Sequence, residues 1–125
     1  MTENSSSGRG GSRAEQIVEL GRFSMRSSRD GDRHTIALRG ELDIASAGEV
    51  EQELMRVEAT DATAIVLDLT ELSFIDSTGV RMLLMADARS RGDSCRLTLR
   101  RPPAAVVRVL SLAGVDERLP FDDAA

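Results

Sequence analysis

The stretch Leu72-Ser73-Phe74-Ile75-Asp76-Ser77-Thr78-Gly79-Val80 decides how this chain is read. Apolar residues give way to Asp-Ser-Thr-Gly, residue types that favour helix starts, and the residues after it recur with helical spacing. The pattern predicts a loop from Thr70 to Asp76 and a helix over 77–91, stopped by Gly92, with Val80, Leu83, Leu84 and Ala88 on its buried face. Phe74 and Ile75 are expected to anchor the loop in the core. Just upstream, Ala64-Ile65-Val66-Leu67-Asp68-Leu69 is a short apolar run rich in β-branched residues, which predicts a buried strand.

Working outward toward the N-terminus, Ser46-Ala47-Gly48-Glu49 has the Ser-x-x-Glu spacing of a capping box, followed by Val50, Leu54 and Val57 at helical spacing. Before it, Phe23-Ser24-Met25 and His34-Thr35-Ile36-Ala37-Leu38-Arg39 alternate around Asp30-Gly31, a hairpin pattern with Gly31 suited to a positive φ. Residues 14–22, with Ile17, Val18 and Leu20, fit a short helix or a leading strand. Residues 1–13, dominated by Ser and Gly, are expected to be a flexible tail, and 14–125 the folded domain.

Toward the C-terminus, Cys95-Arg96-Leu97-Thr98-Leu99-Arg100 alternates as a strand. Pro102 and Pro103 open a third helix carrying Val106, Val107, Leu110 and Ala113, and Gly114 ends it. Arg118 to Phe121 is a candidate short edge strand. The order β-β-α-β-α-β-α-β predicts an α/β fold: a single-layer, mostly parallel sheet with an N-terminal antiparallel hairpin, packed by helices.

Composition removes whole classes of function. A chain of 125 residues supplies one domain. It has no Trp, no Tyr and three Phe, too few rings for a base-stacking surface, and its net charge of -5 opposes a phosphate backbone. No nucleic-acid partner is expected. All sixteen basic residues are Arg, which excludes a P-loop lysine, a Schiff base or a catalytic ammonium. One His and one Cys make neither an ordinary zinc site nor a disulfide within the chain, so no metal and no cofactor is expected. Cys95 shares a face with Leu97 and Leu99 and reads as a small core residue. Met55, Met82 and Met85 fit helix faces. No apolar stretch approaches the ~20 residues a spanning helix needs, and no membrane partner is expected. A soluble, cytoplasmic monomer is the expectation.

In α/β sheets, ligands and partners meet the loops at the carboxyl ends of the strands. Two such loops carry polar residues: Gly40-Glu41-Leu42-Asp43 and Asp76-Ser77-Thr78-Gly79. Ser77 at a helix start should expose its hydroxyl, and a phosphate placed there would face the positive end of the helix dipole. Glu41, Asp43 and Asp76 are expected to lie near it, and Gly79 to leave room for close approach by another chain. Plain capping is the simpler role for the same residues. Other constellations fare worse. A hydrolase built from Ser77, His34 and Asp43 lacks the nucleophile elbow, and His34 is expected to be a partly exposed strand residue. Asp68 as a receiver-type phosphoacceptor would need a late Lys. Asp116-Glu117 and Asp122-Asp123 read as a solvated C-terminal end. No catalytic constellation is expected.

The order and spacing of Gly40-Glu41-Leu42-Asp43, Ile65-Val66-Leu67-Asp68-Leu69, Leu72 to Val80 and Leu112-Ala113-Gly114-Val115 resemble STAS domains, over roughly residues 23–121. The resemblance is to the stand-alone anti-sigma factor antagonists of that family. It implies a phosphorylation site at Ser77, with Thr78 as second choice, and a partner surface of Glu41, Asp43, Asp76, Ser77, Thr78, Gly79 and Arg81. The implied partners are an anti-sigma factor that is a serine kinase, bound until Ser77 is phosphorylated, and a phosphatase that resets the switch. Three features depart from the family pattern. Arg81 stands where small or apolar residues are common, Thr78 replaces a frequent second Ser, and the chain stops at Ala125 where relatives continue into a helix. The alternative is a STAS subunit that scaffolds or regulates a lipid-transport or stress-sensing complex without a kinase switch.

Overall fold

The computed structural model describes residues 15–92 and 96–122. The expected tail over 1–13 and Cys95 lie outside the described residues. Among those described there are six strands, β1 (Glu15–Leu20), β2 (Phe23–Asp30), β3 (Arg33–Leu42), β4 (Ala64–Ile75), β5 (Arg96–Arg100) and β6 (Phe121–Asp122). Three helices join them: α1 (Ala47–Glu58), α2 (Ser77–Arg91) and α3 (Ala104–Leu112). The sheet order is β1-β2-β3-β4-β5-β6. The first three strands pair antiparallel and β3 to β6 pair parallel, so the α/β reading with a leading hairpin holds. The ambiguous segment before the hairpin is a strand, and Gly31 has φ +64° in the hairpin turn.

Each parallel step crosses the sheet in the same direction, and right-handed crossovers put α1, α2 and α3 on one face. The burial pattern agrees. Phe23 and Met25 on β2, Ile36 and Leu38 on β3, Ile65 and Leu67 on β4, and Leu97 and Leu99 on β5 are buried in one cluster with Val50, Leu54, Val80, Leu83, Val106 and Leu110 from the helices. The opposite face is polar and carries paired charges, Arg26 with Glu15 at 2.9 Å and Arg39 with Glu71 at 3.7 Å.

Five local expectations are corrected. The stretch from Thr70 is no loop: β4 runs on to Ile75, paired with β3 as far as Leu42. Two β-bulges make this possible. Ala37 to Arg39 spans two residues where its partner strand spans three, and Gly40-Glu41 faces Leu72 and Phe74 with Ser73 left over. Each extra residue flips the alternation, so the inward residues of β4 end as Leu69, Leu72 and Ile75. Phe74 is thereby turned outward, 47% exposed, and anchors nothing. On α2 the buried face is Val80, Met82, Leu83, Ala86 and Asp87, whereas Ala88 is exposed. Ala113, expected on the buried face of α3, is also exposed.

The capping box is the fifth. Ser46 is the N-cap of α1 but its side chain makes no cap hydrogen bond. Its hydroxyl donates backward to the Glu41 carbonyl at 2.8 Å and accepts from the Asp43 N–H at 3.0 Å. Ser46 thus ties the end of β3 to α1 rather than closing a reciprocal pair with Glu49. The predicted edge strand over Arg118 to Phe121 is shorter and later, a two-residue strand at Phe121–Asp122 beside β5.

Candidate functional site

The β3–α1 turn and the β4–α2 junction meet at the carboxyl end of the sheet. The Asp76 N–H donates to the Leu42 carbonyl at 3.1 Å, which sets the end of β4 beside the end of β3. Asp76 is the N-cap of α2, and its Oδ1 accepts from the Gly79 N–H at 3.0 Å. Its Oδ2 accepts from the Ile44 N–H at 3.2 Å. One carboxylate therefore satisfies an orphan donor of the helix start and a donor of the neighbouring turn. Asp43 organises that turn. Its Oδ1 accepts from the Ala45 N–H at 2.9 Å and the Ser46 N–H at 3.2 Å, an Asx turn.

Ser77 follows as the first residue of α2 and is exposed, while Thr78 is half-buried. With Asp76 doing the capping, the Ser77 hydroxyl is not consumed by the role that competes most directly with a chemical one. Arg81 stands one turn on, exposed and without an ion-pair partner among the described residues. Ile44 is 79% exposed and Phe74 47% exposed on the two segments that flank Asp76 and Ser77. Sequence reading missed both as surface groups. The spacing Leu69, Leu72, Ile75 was the available signal, because it places Phe74 off the inward series.

Glu41 and Asp43 lie at the end of β3 and in the turn after it. The Glu41 carboxylate lies 3.5 Å from Arg22, and Glu41 with Asp43 lines a cavity of about 280 Å3 against the β1–β2 turn. Asp76 adjoins Ser77 and caps its helix, and Asp43 orders the turn whose Ile44 N–H Asp76 holds. The space a side chain at Gly79 would need is taken within the domain. A Cβ there would lie 2.8 Å from Ile75 Cγ1 and 2.9 Å from the Leu42 carbonyl oxygen. Gly40 plays a similar part at the bulge, with φ +94° and the Arg22 carbonyl where a side chain would begin.

His34 belongs to no such site, and it is buried rather than partly exposed. It lies nine residues before Asp43 along β3, about 30 Å of extended chain, which rules out a triad of Ser77, His34 and Asp43. Instead its Nε2 lies 2.6 Å from Ser27 Oγ, and Ser27 donates its hydroxyl proton to Glu53 Oε2 at 2.5 Å. Arg56 grips Glu53 with two bonds, 2.9 Å and 2.6 Å. Since Ser27 has one proton to give, Nε2 donates to Ser27, and Nδ1 is left buried without a partner. Burial is the main force holding the imidazole pKa below its ordinary value, opposed by the Glu53 charge. The bonds from Arg56 hold the Glu53 carboxyl below its own. This is a structural network, buried at Ser27, His34 and Glu53, with Arg56 at its exposed end. Asp68 is likewise occupied. It sits mid-strand, accepts from the Thr70 N–H and hydroxyl at 2.9 Å and 2.7 Å, and faces Arg100 at 3.9 Å.

Among the described residues no group of three or more His, Cys, Asp or Glu is arranged to hold a metal ion. No helix among them is long and apolar enough to cross a membrane.

Comparison with known proteins gives one consistent answer. A family described as "Mlab, STAS domain" matches residues 25–120. The anti-sigma-F factor antagonist RsfB of Mycobacterium tuberculosis is 28% identical over 82 residues, 66% of this chain and 66% of that protein. The chain thus spans about two thirds of the length of that relative. An anti-sigma-B factor antagonist of Listeria monocytogenes is 28% identical over 89 residues, 71% of this chain and 78% of that one. The solved structure of the anti-sigma factor antagonist SpoIIAA in its unphosphorylated form superposes with a TM-score of 0.63 at 25% identity, covering 90% of this chain and 89% of that one.

Proposed function

Because the chain belongs to the STAS domain family, we propose that it is an anti-sigma factor antagonist switched by phosphorylation of Ser77. The unmodified protein binds an anti-sigma factor that is a serine kinase, and so frees a sigma factor. The modified protein lets go, and a phosphatase resets it. Relatives named as antagonists of sigma-F and sigma-B regulation support the role, as does a structural neighbour described by its phosphorylation state. The protein acts by binding rather than by catalysis, in the cytoplasm.

The observation that carries this reading is the exposed Ser77 hydroxyl beside a cap that does not need it, bordered by exposed Ile44 and Phe74. Apolar side chains at the carboxyl end of the sheet supply anchors for a partner. A phosphate adds about -1.5 to -2 of charge at the centre of that surface. Burying it unpaired would cost on the order of 3–5 kcal/mol, equivalent to about a hundredfold in affinity or more. The same phosphate sits well at a helix N-terminus, so the domain itself stays folded.

The test is incubation with the cognate kinase and ATP, followed by mass spectrometry and a binding assay. One phosphate on Ser77 and loss of binding are expected. The matched family description names Mlab rather than an antagonist, which favours as second reading a STAS subunit that scaffolds a lipid-transport or stress-sensing complex. Binding to such a complex with no phosphate on Ser77 would select that reading. A gene for a serine-kinase anti-sigma factor beside this one, or genes for transporter subunits, would separate the two without a purified partner.

A further inference from the structure

The end of the sheet opposite Ser77 carries a second feature, which the switch leaves unused. The C-terminal end of α2, the start of β5 and the turn before β6 enclose a cavity of about 420 Å3, lined by Asp87, Arg91, Arg96, Leu97, Arg118 and Pro120 among others. Three guanidinium groups against one carboxylate leave this wall with a surplus of two positive charges, in a chain whose net charge is -5.

The arginines are not equivalent. Arg91 is held in place through Nη2, which lies 2.9 Å from Asp87 Oδ2 and donates to the Arg118 carbonyl at 3.3 Å. Asp87 is itself largely buried, 12% exposed at its side chain, so this anchor is built into α2. The Nε and Nη1 donors of Arg91 make no bond among the described residues. Arg96 and Arg118 are exposed, and their guanidinium groups engage no acceptor there. A fixed guanidinium flanked by two free ones presents forked donors that match the oxygens of a phosphoryl group. No aromatic residue lines the cavity, so it has nothing to stack a ring and reads charge alone.

We propose that this cavity binds a compact phosphoryl anion of the diphosphate class, one carrying two or more negative charges. A single carboxylate would leave the surplus only half neutralised. The site does not depend on the antagonist reading, since Ser77 and this cavity lie at opposite ends of the sheet.

Inorganic pyrophosphate is the probe, titrated into the full chain by calorimetry at low ionic strength, with amide shifts followed by NMR. Saturable one-to-one binding is expected, weakening as salt is raised, with the largest shifts at Arg91, Arg96 and Arg118. Arg96→Gln together with Arg118→Gln should weaken it by about tenfold or more, since two charge-assisted contacts are lost. Arg96→Glu should weaken it further than Arg96→Gln. Arg108→Gln, which removes an exposed charge from α3, should leave it unchanged, as should Ser77→Ala. Absence of saturable binding, shifts that map to the α2 N-terminus, an equal loss in Arg108→Gln, or an acidic peptide binding where pyrophosphate does not would each overturn the proposal. All three arginine side chains to be changed are exposed, and thermal melts of each variant establish that it folds.

Discussion

The N–H of Ile44 and the carboxylate of Asp76 are bonded at 3.2 Å across 32 residues of sequence. The same carboxylate caps α2 through Gly79. Asp76 is thus a joint between the two loops of the candidate site, and its loss should be felt in both. Asp76→Ala removes the cap, worth about 0.5–2 kcal/mol, and also releases the Ile44 N–H. A destabilisation of about 1–3 kcal/mol is expected in urea unfolding. Asp76→Asn, which keeps an acceptor oxygen for one of the two, should fall between that variant and the parent.

Substitutions at Ser77 are expected to separate binding from stability. Ser77→Ala should fold normally, because Asp76 carries the cap, and should bind the anti-sigma partner while accepting no phosphate. Ser77→Asp should be at least as stable, since a carboxylate favours a helix N-terminus, yet bind weakly. Equal partner affinity for these two variants, measured by calorimetry, would sink the switch mechanism and leave only the fold.

Ile44 and Phe74 offer the complementary experiment. Both are largely solvent-facing, so Ile44→Ala and Phe74→Ala should change stability by no more than about 0.5 kcal/mol. Each should nevertheless weaken partner binding by about tenfold, the scale of an apolar anchor that contributes more than about 1 kcal/mol. If neither affects affinity, the partner docks elsewhere.

Acid should destabilise the fold in two stages. The buried His34 imidazole favours its neutral form, with its pKa below the ordinary value of about 6.5. Between its folded and unfolded pKa values the unfolded chain binds more protons, so this contribution is complete above about pH 6.5 and is lost as pH falls below it. Protonation would also place an N–H on Nδ1, which has no acceptor. Glu53, held low by Arg56, adds a second loss as pH falls below its ordinary value and through its folded one. His34→Gln should flatten the upper stage of a stability-against-pH curve and leave the lower. A curve for His34→Gln that stays parallel to the parent's would show that the imidazole is not the titrating group.

The sheet, the hairpin and the three helices were legible because their patterns are local: alternation in β2, β3 and β5, helical spacing in α1 and α2, and Pro and Gly around α3. The bulges in β4 were not. They depend on how β3 and β4 register against each other, and a shift of one residue reverses which side chains face inward. That is why the sequence pattern points Phe74 into the core and reads the last half of β4 as a loop. The Ser27–His34–Glu53 network shows the same limit. Each residue continues an inward-facing series, Ser27 after Phe23 and Met25, His34 before Ile36 and Leu38, Glu53 beside Val50 and Leu54. The series marks each as buried, but only the fold brings three such segments to one point. Ser77 was legible because a helix start announces itself in sequence; that Asp76 alone caps it was not.

Gly79 and Ser77 stand two residues apart with opposite mutational freedom. At 79 the Leu42 carbonyl and the Ile75 side chain occupy the space any larger residue would need, so drift at that position meets a steric veto. At 77 the side chain is exposed. A lineage could therefore change what is written at the tip of α2, or the partner that reads it, while the underlying helix stays pinned to β3 and β4. Under the proposed switch, paralogues could diverge in partner through the exposed positions 44, 74, 77 and 81 without first having to solve the fold again.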